Sequence, residues 1–251
     1  MSNNAEKRDI LVTSALPYAT APLHLGHILE HTQTDIWVRY QRLIGNNCTY
    51  VCADDAHGTP IMLKAEELNK EPEDLIEEIY ANHVNTFNLY NINHDNFHTT
   101  HSEENRTLSE RIFNALNEKG LIEIRTIEQL YDTSRNMFLS DRYVKGSCPK
   151  CFAEDQYGDN CEVCSATYDA IELIDPFSVL SNTSPVIKES EHLFFKLSEL
   201  KQEIVEWLKN SKIQNPVQNK LSEWLDEDLK DWDISRDSPY FGFEIPGHKD
   251  K

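Results

Sequence analysis

The sequence predicts an α/β fold, in which a parallel sheet with helices is followed by a smaller α+β segment that binds zinc. Two apolar, strand-like runs, residues 10–13 and 48–53, flank a stretch with helical periodicity. A strand, a helix and a second strand within roughly 45 residues form a right-handed unit with parallel strands. Further along, six short strand-like and helical segments surround four cysteines in two C-x-x-C pairs, which indicates the second, zinc-binding part.

Composition limits the classes of protein that fit. The chain has 251 residues, 39% of them hydrophobic, and a net charge of −19. This charge argues against a surface that wraps nucleic acid. No apolar run reaches membrane-spanning length, and residues 1–9 are polar rather than a signal peptide, so we expect a cytoplasmic protein with no membrane partner. Six cysteines without a secretory signal favour metal ligation over disulfides.

The first helix is predicted to begin near His24. Apolar residues then recur at three- and four-residue steps, at Leu25, Ile28, Leu29, Ile36, Tyr40, Leu43 and Ile44. His24 and His27 are one turn apart, and Gly26 between them leaves the backbone open to a flat ligand. A helix N-terminus after a strand suits a phosphate. Two surface histidines at a helix start are the alternative.

A second candidate loop, residues 54–60, follows the second strand. Ligands bind at the carboxyl ends of strands in open α/β sheets, and this loop holds Asp54, Asp55, His57 and Gly58. The alternative is a solvated cap of the helix predicted at residues 61–69.

The remaining elements are predicted from periodicity and turn signals. Helices are expected at residues 73–90, from Ser102 to Gly120, and at 198–209 and 217–231; strands are expected at 95–99, 121–131, 137–139, 171–174, 186–197 and 241–246. His94, His98 and His101 fit no metal pattern and are interpreted as a polar surface. Cys48 and Cys52 are interpreted as buried apolar side chains.

The cysteine quartet gives the strongest metal signal in the chain. It consists of Cys148, Cys151, Cys161 and Cys164. Four thiolates fill a tetrahedral zinc shell and leave no position for water, so a structural zinc ion is expected, with disulfides as the alternative. Zinc knuckles often carry glycine after the second cysteine of each pair, whereas this chain has Phe152 and Ser165.

Arg236, between Asp233 and Asp237, is a further candidate. Its guanidinium can bind a carboxylate or phosphate through two nitrogens, or it can form an ion pair with its neighbours. The sequence leaves both interpretations open.

Five motifs together resemble the methionyl-tRNA synthetases of bacterial type, a family of class I aminoacyl-tRNA synthetases. In chain order they are Ala15–Tyr18, His24–His27 in the place of the family's HIGH signature, Ala53–Pro60, the two C-x-x-C pairs and Trp232–Asp237. The similarity runs through essentially the whole chain. Related synthetases for leucine, isoleucine and valine carry a much larger insertion, so the short zinc-bearing one here favours methionine.

The resemblance implies a ligase that activates methionine with ATP and Mg²⁺ and transfers it to tRNA(Met). It implies catalytic roles for His24, His27 and Arg236. The implied methionine-binding residues are Ala15, Leu16, Tyr18 and Asp55, and the implied ATP-binding residues are Pro17, Tyr18, His24, Gly26 and His27. The implied domains are the N-terminal half of a Rossmann-type catalytic domain (1–101), a connective insertion with a zinc knuckle (102–235) and a return segment (236–251). One structural zinc ion per chain is expected; the oligomeric state is left open.

Two departures from the family affect these expectations. Members commonly have Asn-Gly where this chain has Thr20 and Ala21, which would strain Ala21 if that position needs a positive φ. The Lys-rich KMSKS loop and the anticodon-binding domain are not in the sequence. We therefore expect an N-terminal half that is inactive alone and, with an uncovered sheet edge and apolar face, prone to self-association. A non-catalytic zinc module that binds RNA or a partner is the alternative function.

Overall fold

The computed structural model describes residues 7–226 and 229–251. The chain divides into two compact units: Met1–Thr107 with Tyr240–Phe243, and Leu108–Pro239 with Glu244–Lys251. The predicted three-part domain division stays a prediction. Within the described ranges, no helix combines the length and hydrophobicity of a membrane span.

The first unit contains a three-stranded parallel sheet in the order β1-β2-β3. Its elements are strand β1 (Asp9–Val12), helix α1 (Leu25–Leu43), strand β2 (Asn47–Asp54), helices α2 (Thr59–Glu67) and α3 (Pro72–Leu89), and strand β3 (Asn96–Thr99). Every second residue of β2 from Cys48 to Asp54 is buried, as expected for a central strand between two neighbours. The predicted parallel strand–helix–strand unit is confirmed.

Helix α1 buries its more polar side and exposes its more apolar side. Its buried residues are Ile28, His31, Asp35, Val38 and Gln41. Asp35 is satisfied by Arg39 at 2.5 Å and by the Asn93 N–H at 3.1 Å. Of the seven apolar positions that predict the helix, only Ile28 is buried. We use the name α1 apolar surface for the exposed large apolar residues of this helix and its C-cap. They are Leu25, Leu29, Ile36, Trp37, Tyr40, Leu43 and Ile44.

The second unit is an α+β structure with two antiparallel sheets. Helix α4 (Glu103–Glu118) begins in the first unit and continues into the second. The larger sheet has the order β10-β9-β4-β5, formed by β4 (Ile122–Asp132), β5 (Met137–Phe138), β9 (Val186–Phe195) and β10 (Trp232–Asp233). The smaller has the order β7-β6-β8, formed by β6 (Val144–Ser147), β7 (Gln156–Tyr157) and β8 (Ile174–Ser178). Helices α5 (Lys201–Asn210) and α6 (Asn215–Asp226) pack through a leucine cluster.

Three sequence predictions need correction or restriction. The predicted strand 171–174 is mostly a short 3₁₀ turn, Ala170–Glu172, which Asp169 and Glu172 cap reciprocally, and β8 begins only at Ile174. The predicted strand 241–246 does not form, because the Phe241 carbonyl accepts from the Gly58 N–H and its own N–H donates to the Met62 sulfur. The predicted helix 217–231 ends as α6 at Asp226, and residues 227–228 lie outside the described residues.

Candidate active site and zinc centre

His24 and His27 cap the N-terminus of α1 reciprocally. The His24 Nδ1 accepts from the Gly26 N–H at 3.0 Å, and the His27 Nδ1 accepts from the His24 N–H at 3.4 Å. The two rings stack with their centroids 3.7 Å apart. A ring that accepts at Nδ1 carries its proton at Nε2 when neutral, so each imidazole keeps one N–H donor for a ligand.

The charge state of His27 favours this arrangement. Burial, and then the neighbouring His24, lower the pKa of His27 below its ordinary value of 6.5. At neutral pH His27 is therefore an uncharged donor beside the positive end of the helix dipole.

Gly26 is required by the packing of the cap. A Cβ at this position would lie 2.8 Å from Cε1 and 3.0 Å from Nδ1 of His24. Any side chain here would displace the His24 ring from the backbone N–H that it accepts, so the glycine and the first histidine act as a pair.

The loop after β1 pairs with the loop after β2. The Asp55 N–H donates to the Pro17 carbonyl and the Ala19 N–H donates to the Asp55 carbonyl, both at 2.8 Å. The Tyr18 hydroxyl donates to the His57 carbonyl at 2.6 Å. The structure thus brings together Tyr18 and Asp55, two residues that the sequence predicts to bind methionine.

Asp55 carries an available negative charge. Its side chain is exposed, and among the described residues no basic side chain forms an ion pair with it. Surrounding protein atoms nevertheless raise the pKa of its carboxyl. Burial, and then the Asp55 charge, raise the pKa of Tyr18 to about 12. Ala15 and Leu16 are exposed nearby in the chain, and the Ala15 N–H donates to Glu30 Oε1 at 2.7 Å.

A buried Asp–His pair, which the sequence analysis missed, holds the backbone before the capping histidines. The His83 Nδ1 lies 2.7 Å from Asp54 Oδ1, and its Nε2 donates to the Ala21 carbonyl at 2.9 Å. Both side chains are 1% exposed. The only sequence signal is a histidine on the otherwise apolar side of α3. Ala21 is not in the left-handed region, so the predicted strain at that position does not arise.

The four cysteines of the second unit form a compact cluster. Sγ of Cys148 and Cys164 are 3.9 Å apart and Sγ of Cys151 and Cys161 are 3.6 Å apart, with all four within 4.8 Å of one another. Four sulfurs around one tetrahedral zinc ion lie about 3.8 Å apart. Burial opposes ionisation of Cys148, but the N–H groups of Cys151 and Lys150 outweigh it and lower the pKa of its thiol to about 7. The cluster therefore fits zinc, and no disulfide is formed.

Comparisons with known proteins decide the family. The model of the family described as "tRNA synthetases class I (M)" matches residues 10–251. The chain belongs to this family. The family resemblance stated from the sequence motifs is therefore confirmed.

Two solved structures support the class I synthetase fold. Both are of Mycobacterium tuberculosis methionyl-tRNA synthetase bound to methionyl-adenylate; each is 19% identical to this chain, with a TM-score of 0.71. The alignments cover 97% of this chain but only 43% and 44% of those chains. The chain thus spans less than half the length of these structural neighbours.

The knuckle positions that lack glycine adopt a conformation in which glycine is favoured. Phe152 has φ 64° and Ser165 has φ 59°, both in the left-handed region. Each follows the second cysteine of its pair, so this synthetase bends its chain there without the usual residue. A left-handed residue other than glycine costs roughly 1–2 kcal/mol.

Arg236 of the synthetase lies in the second unit. Its Nη1 donates to the Ser235 carbonyl at 2.6 Å and lies 3.6 Å from Asp233, while 58% of its side chain stays exposed. The ion-pair interpretation and a further role toward a ligand are therefore compatible, because the guanidinium retains free donors.

The interpretation of three histidines as a polar surface is correct only for His98. That residue is exposed beside Glu104. His101 instead contacts His57, with the two ring nitrogens 2.9 Å apart, and burial lowers the pKa of His57 to about 4. His94 packs between Tyr50 and Phe87. Nothing in the sequence indicates these ring contacts, because they join residues on either side of β3 to residues much earlier in the chain or nearby on α3 and depend on tertiary packing.

Proposed function

We propose that the chain forms the N-terminal part of the catalytic centre of a methionine–tRNA ligase. It would activate methionine with ATP to methionyl-adenylate, and the methionyl group would then pass to tRNA(Met). The single observation that carries this proposal is the stacked, reciprocally capped His24–His27 pair at the start of α1. The methionyl-adenylate named with the two structural neighbours supports the choice of substrate.

Adenylate formation needs charge stabilisation more than proton transfer. A carboxylate oxygen of methionine attacks the α-phosphorus, a new P–O bond forms, and the bond to the bridging oxygen breaks as pyrophosphate leaves with the electron pair. The attacking carboxylate is already ionised. The Nε2–H donors of His24 and His27, with the N-terminus of α1, are suited to negative charge that grows on the phosphate oxygens.

Asp55 is suited to the ammonium group of the amino acid. Its charge has no cation partner among the described residues, and Tyr18 lies beside it through the paired loops. We assign Ala15, Leu16 and Tyr18 to the walls of the methionine site, and Pro17 and Gly26 to the ATP site. Arg236 is proposed to bind the substrate carboxylate or the intermediate.

Zinc is proposed to be structural in the second unit. Cys148, Cys151, Cys161 and Cys164 would hold one ion, which would supply no chemistry to the reaction because four thiolates leave no open position. Elemental analysis of the chain purified under reducing conditions is expected to give about one zinc ion per chain. ATP would bring Mg²⁺, and the enzyme would work in the cytoplasm.

The test is methionine-dependent ATP–pyrophosphate exchange by the full-length product of the gene. We expect exchange with methionine and none with leucine, isoleucine, valine or cysteine. His24→Ala should abolish it, whereas His98→Ala, a change at an exposed histidine, should not. A folded product that exchanges with another amino acid would contradict the substrate. A folded product that shows no exchange but binds RNA would favour the alternative function, a non-catalytic zinc module.

A further inference from the structure

A second cluster of metal-ligating side chains lies inside the first unit, apart from the four cysteines. His31 on α1, Cys52 on β2 and His94 before β3 each offer one nitrogen or sulfur atom, and the three atoms all lie within 4.8 Å of one another. His31 and Cys52 are buried, and His94 is half-buried. Three separate elements therefore converge on one point.

The distances suit a metal ion. Nδ1 of His31 lies 3.2 Å from Nε2 of His94. Two nitrogens on one tetrahedral zinc ion lie about 3.3 Å apart, and a nitrogen and a sulfur about 3.5 Å apart. The two nitrogens, which are hydrogen-bonded to each other in the structure, thus have the spacing of two zinc ligands, and the sulfur lies within 4.8 Å of both.

His31 is enclosed by polar neighbours on the side that faces the cluster, and it has no solvent exposure. Its Nδ1, which contacts His94, also meets the Tyr50 hydroxyl at 3.2 Å, and that hydroxyl contacts Ser14 Oγ at 2.5 Å. A metal ion bound at this Nδ1 would take the place of these hydrogen bonds of the imidazole.

Binding of a metal requires a lone pair from each ligand. Each imidazole would bind through the ring nitrogen that carries no proton, and the Cys52 thiol would release its proton to solvent as it binds as a thiolate.

We propose that His31, Cys52 and His94 form a second metal site, which binds a zinc ion through two imidazoles and one thiolate. This donor set suits zinc, and three protein ligands leave one coordination position open. Binding here is accordingly weaker than at the closed cysteine site. His31 lies one turn after His27 on α1, so the ion would cross-link α1 to β2 close to the capping histidines.

Zinc titration of the purified chain, with the four-cysteine site already filled, tests the proposal. Wild type should bind a second equivalent, and a moderate chelator should remove it before the first. Cys52→Ala and His94→Phe should bind only one equivalent in total. Cys48→Ala is the matched control, because Cys48 is a buried cysteine on the same strand outside the cluster, and it should bind two.

Cobalt(II) in place of zinc gives a second readout. The second equivalent should add a thiolate-to-cobalt absorption that Cys52→Ser, a nearly isosteric change, abolishes while near-ultraviolet circular dichroism stays native. A wild-type chain that takes up only one equivalent overturns the proposal. So does a folded Cys52→Ser or His94→Phe chain that still takes up two.

Discussion

Gly26 and His24 form a unit in which each residue depends on the other. The glycine leaves room for the imidazole, and the imidazole accepts the glycine N–H. This coupling explains, within the structure itself, why the residue between the histidines carries no side chain. A change at Gly26 should act on the orientation of the donors rather than on the amino-acid site.

Gly26→Ala should therefore slow adenylate formation in the full-length product by about 10²-fold, the cost of misplacing a donor to a developing charge. Methionine affinity should change little. Gly242→Ala is the control, because a Cβ there meets nothing within 4 Å. Single-turnover rates and equilibrium binding measure the two quantities. If Gly26→Ala loses methionine affinity without a change in rate, the assignment of the capping pair to the phosphate is wrong.

The zinc knuckle carries backbone strain at two exposed residues. Phe152 and Ser165 are both left-handed, and Phe152 is 69% exposed, so neither contributes much packing. Glycine removes the steric cost, although it also increases the entropy of the unfolded chain.

Replacing both residues, Phe152→Gly with Ser165→Gly, should raise zinc affinity by about fivefold, a net gain of roughly 1 kcal/mol after the entropy cost of the two glycines offsets part of the relieved strain. Val163→Gly, an equally exposed position of the same knuckle without a positive φ, should lower the affinity instead. Competition with a chromophoric chelator measures both. If Val163→Gly changed zinc affinity in the same direction and by the same factor as the double substitution, backbone strain at residues 152 and 165 would not explain the result.

Among contacts between elements, His192 of β9 binds two carboxylates, one in β10 and one in the segment that follows it. Its Nδ1 lies 2.6 Å from Asp233 and its Nε2 3.0 Å from Asp237. Burial lowers the pKa of His192, but the hydrogen bonds to the two carboxylates outweigh it and raise the pKa above 6.5. A raised folded-state pKa gives stabilisation that is complete below pH 6.5 and is lost as the pH rises through the raised value. The pKa values of Asp233 and Asp237 are lowered in the folded state. The stabilisation that these two carboxylates contribute is therefore lost when the pH falls, not when it rises.

The free energy of unfolding should consequently fall as the pH rises above about 6.5 and through the raised pKa of His192, and it should fall less in His192→Gln, which does not titrate there. His98→Gln, at an exposed histidine, should retain the wild-type slope. Urea unfolding at a series of pH values measures the difference. An identical slope in wild type and His192→Gln would show that this contact does not depend on protonation.

The sequence predicts elements well where the signals are local. Strand β2 and the start of α1 were predicted within one or two residues, because alternation and capping are local properties. Residues 241–246 have strand-like composition, yet the backbone groups of Phe241 bond to Gly58 and Met62, which lie far away in the sequence. The sequence likewise did not predict the contacts of His83 and His94, because tertiary packing determines which residues lie next to them.

For the molecule as a whole, the α1 apolar surface is a row of exposed large apolar side chains on one helix. Leu25 and Leu43 are more than four-fifths exposed, and Leu11 on β1 is 73% exposed. Contiguous apolar surface of this kind marks an interaction site. The uncovered face expected for the sheet, and the inactivity of the 251-residue chain alone, both stay predictions.

The purified chain should therefore self-associate at high concentration despite its net charge of −19. Ile36→Glu, in the middle of the α1 apolar surface, should shift it toward the monomer. Asn85→Glu adds the same charge at an exposed polar position of α3, outside that surface, and should not. Sedimentation over a concentration series distinguishes these outcomes, and a monomeric wild type at every concentration would contradict the expectation.

We infer that His27 acts on the phosphate and Asp55 on the amino acid, and one pair of variants of the full-length product tests this division. His27→Ala should slow adenylate formation by about 10²–10³-fold and leave methionine affinity within about twofold, because the imidazole acts on charge that develops at phosphorus. Asp55→Ala should weaken methionine binding by roughly 30-fold, or about 2 kcal/mol, because the ammonium group loses its partner. Equilibrium titration with methionine, alongside single-turnover rates, decides. If His27→Ala loses methionine affinity as severely as Asp55→Ala, the account is contradicted.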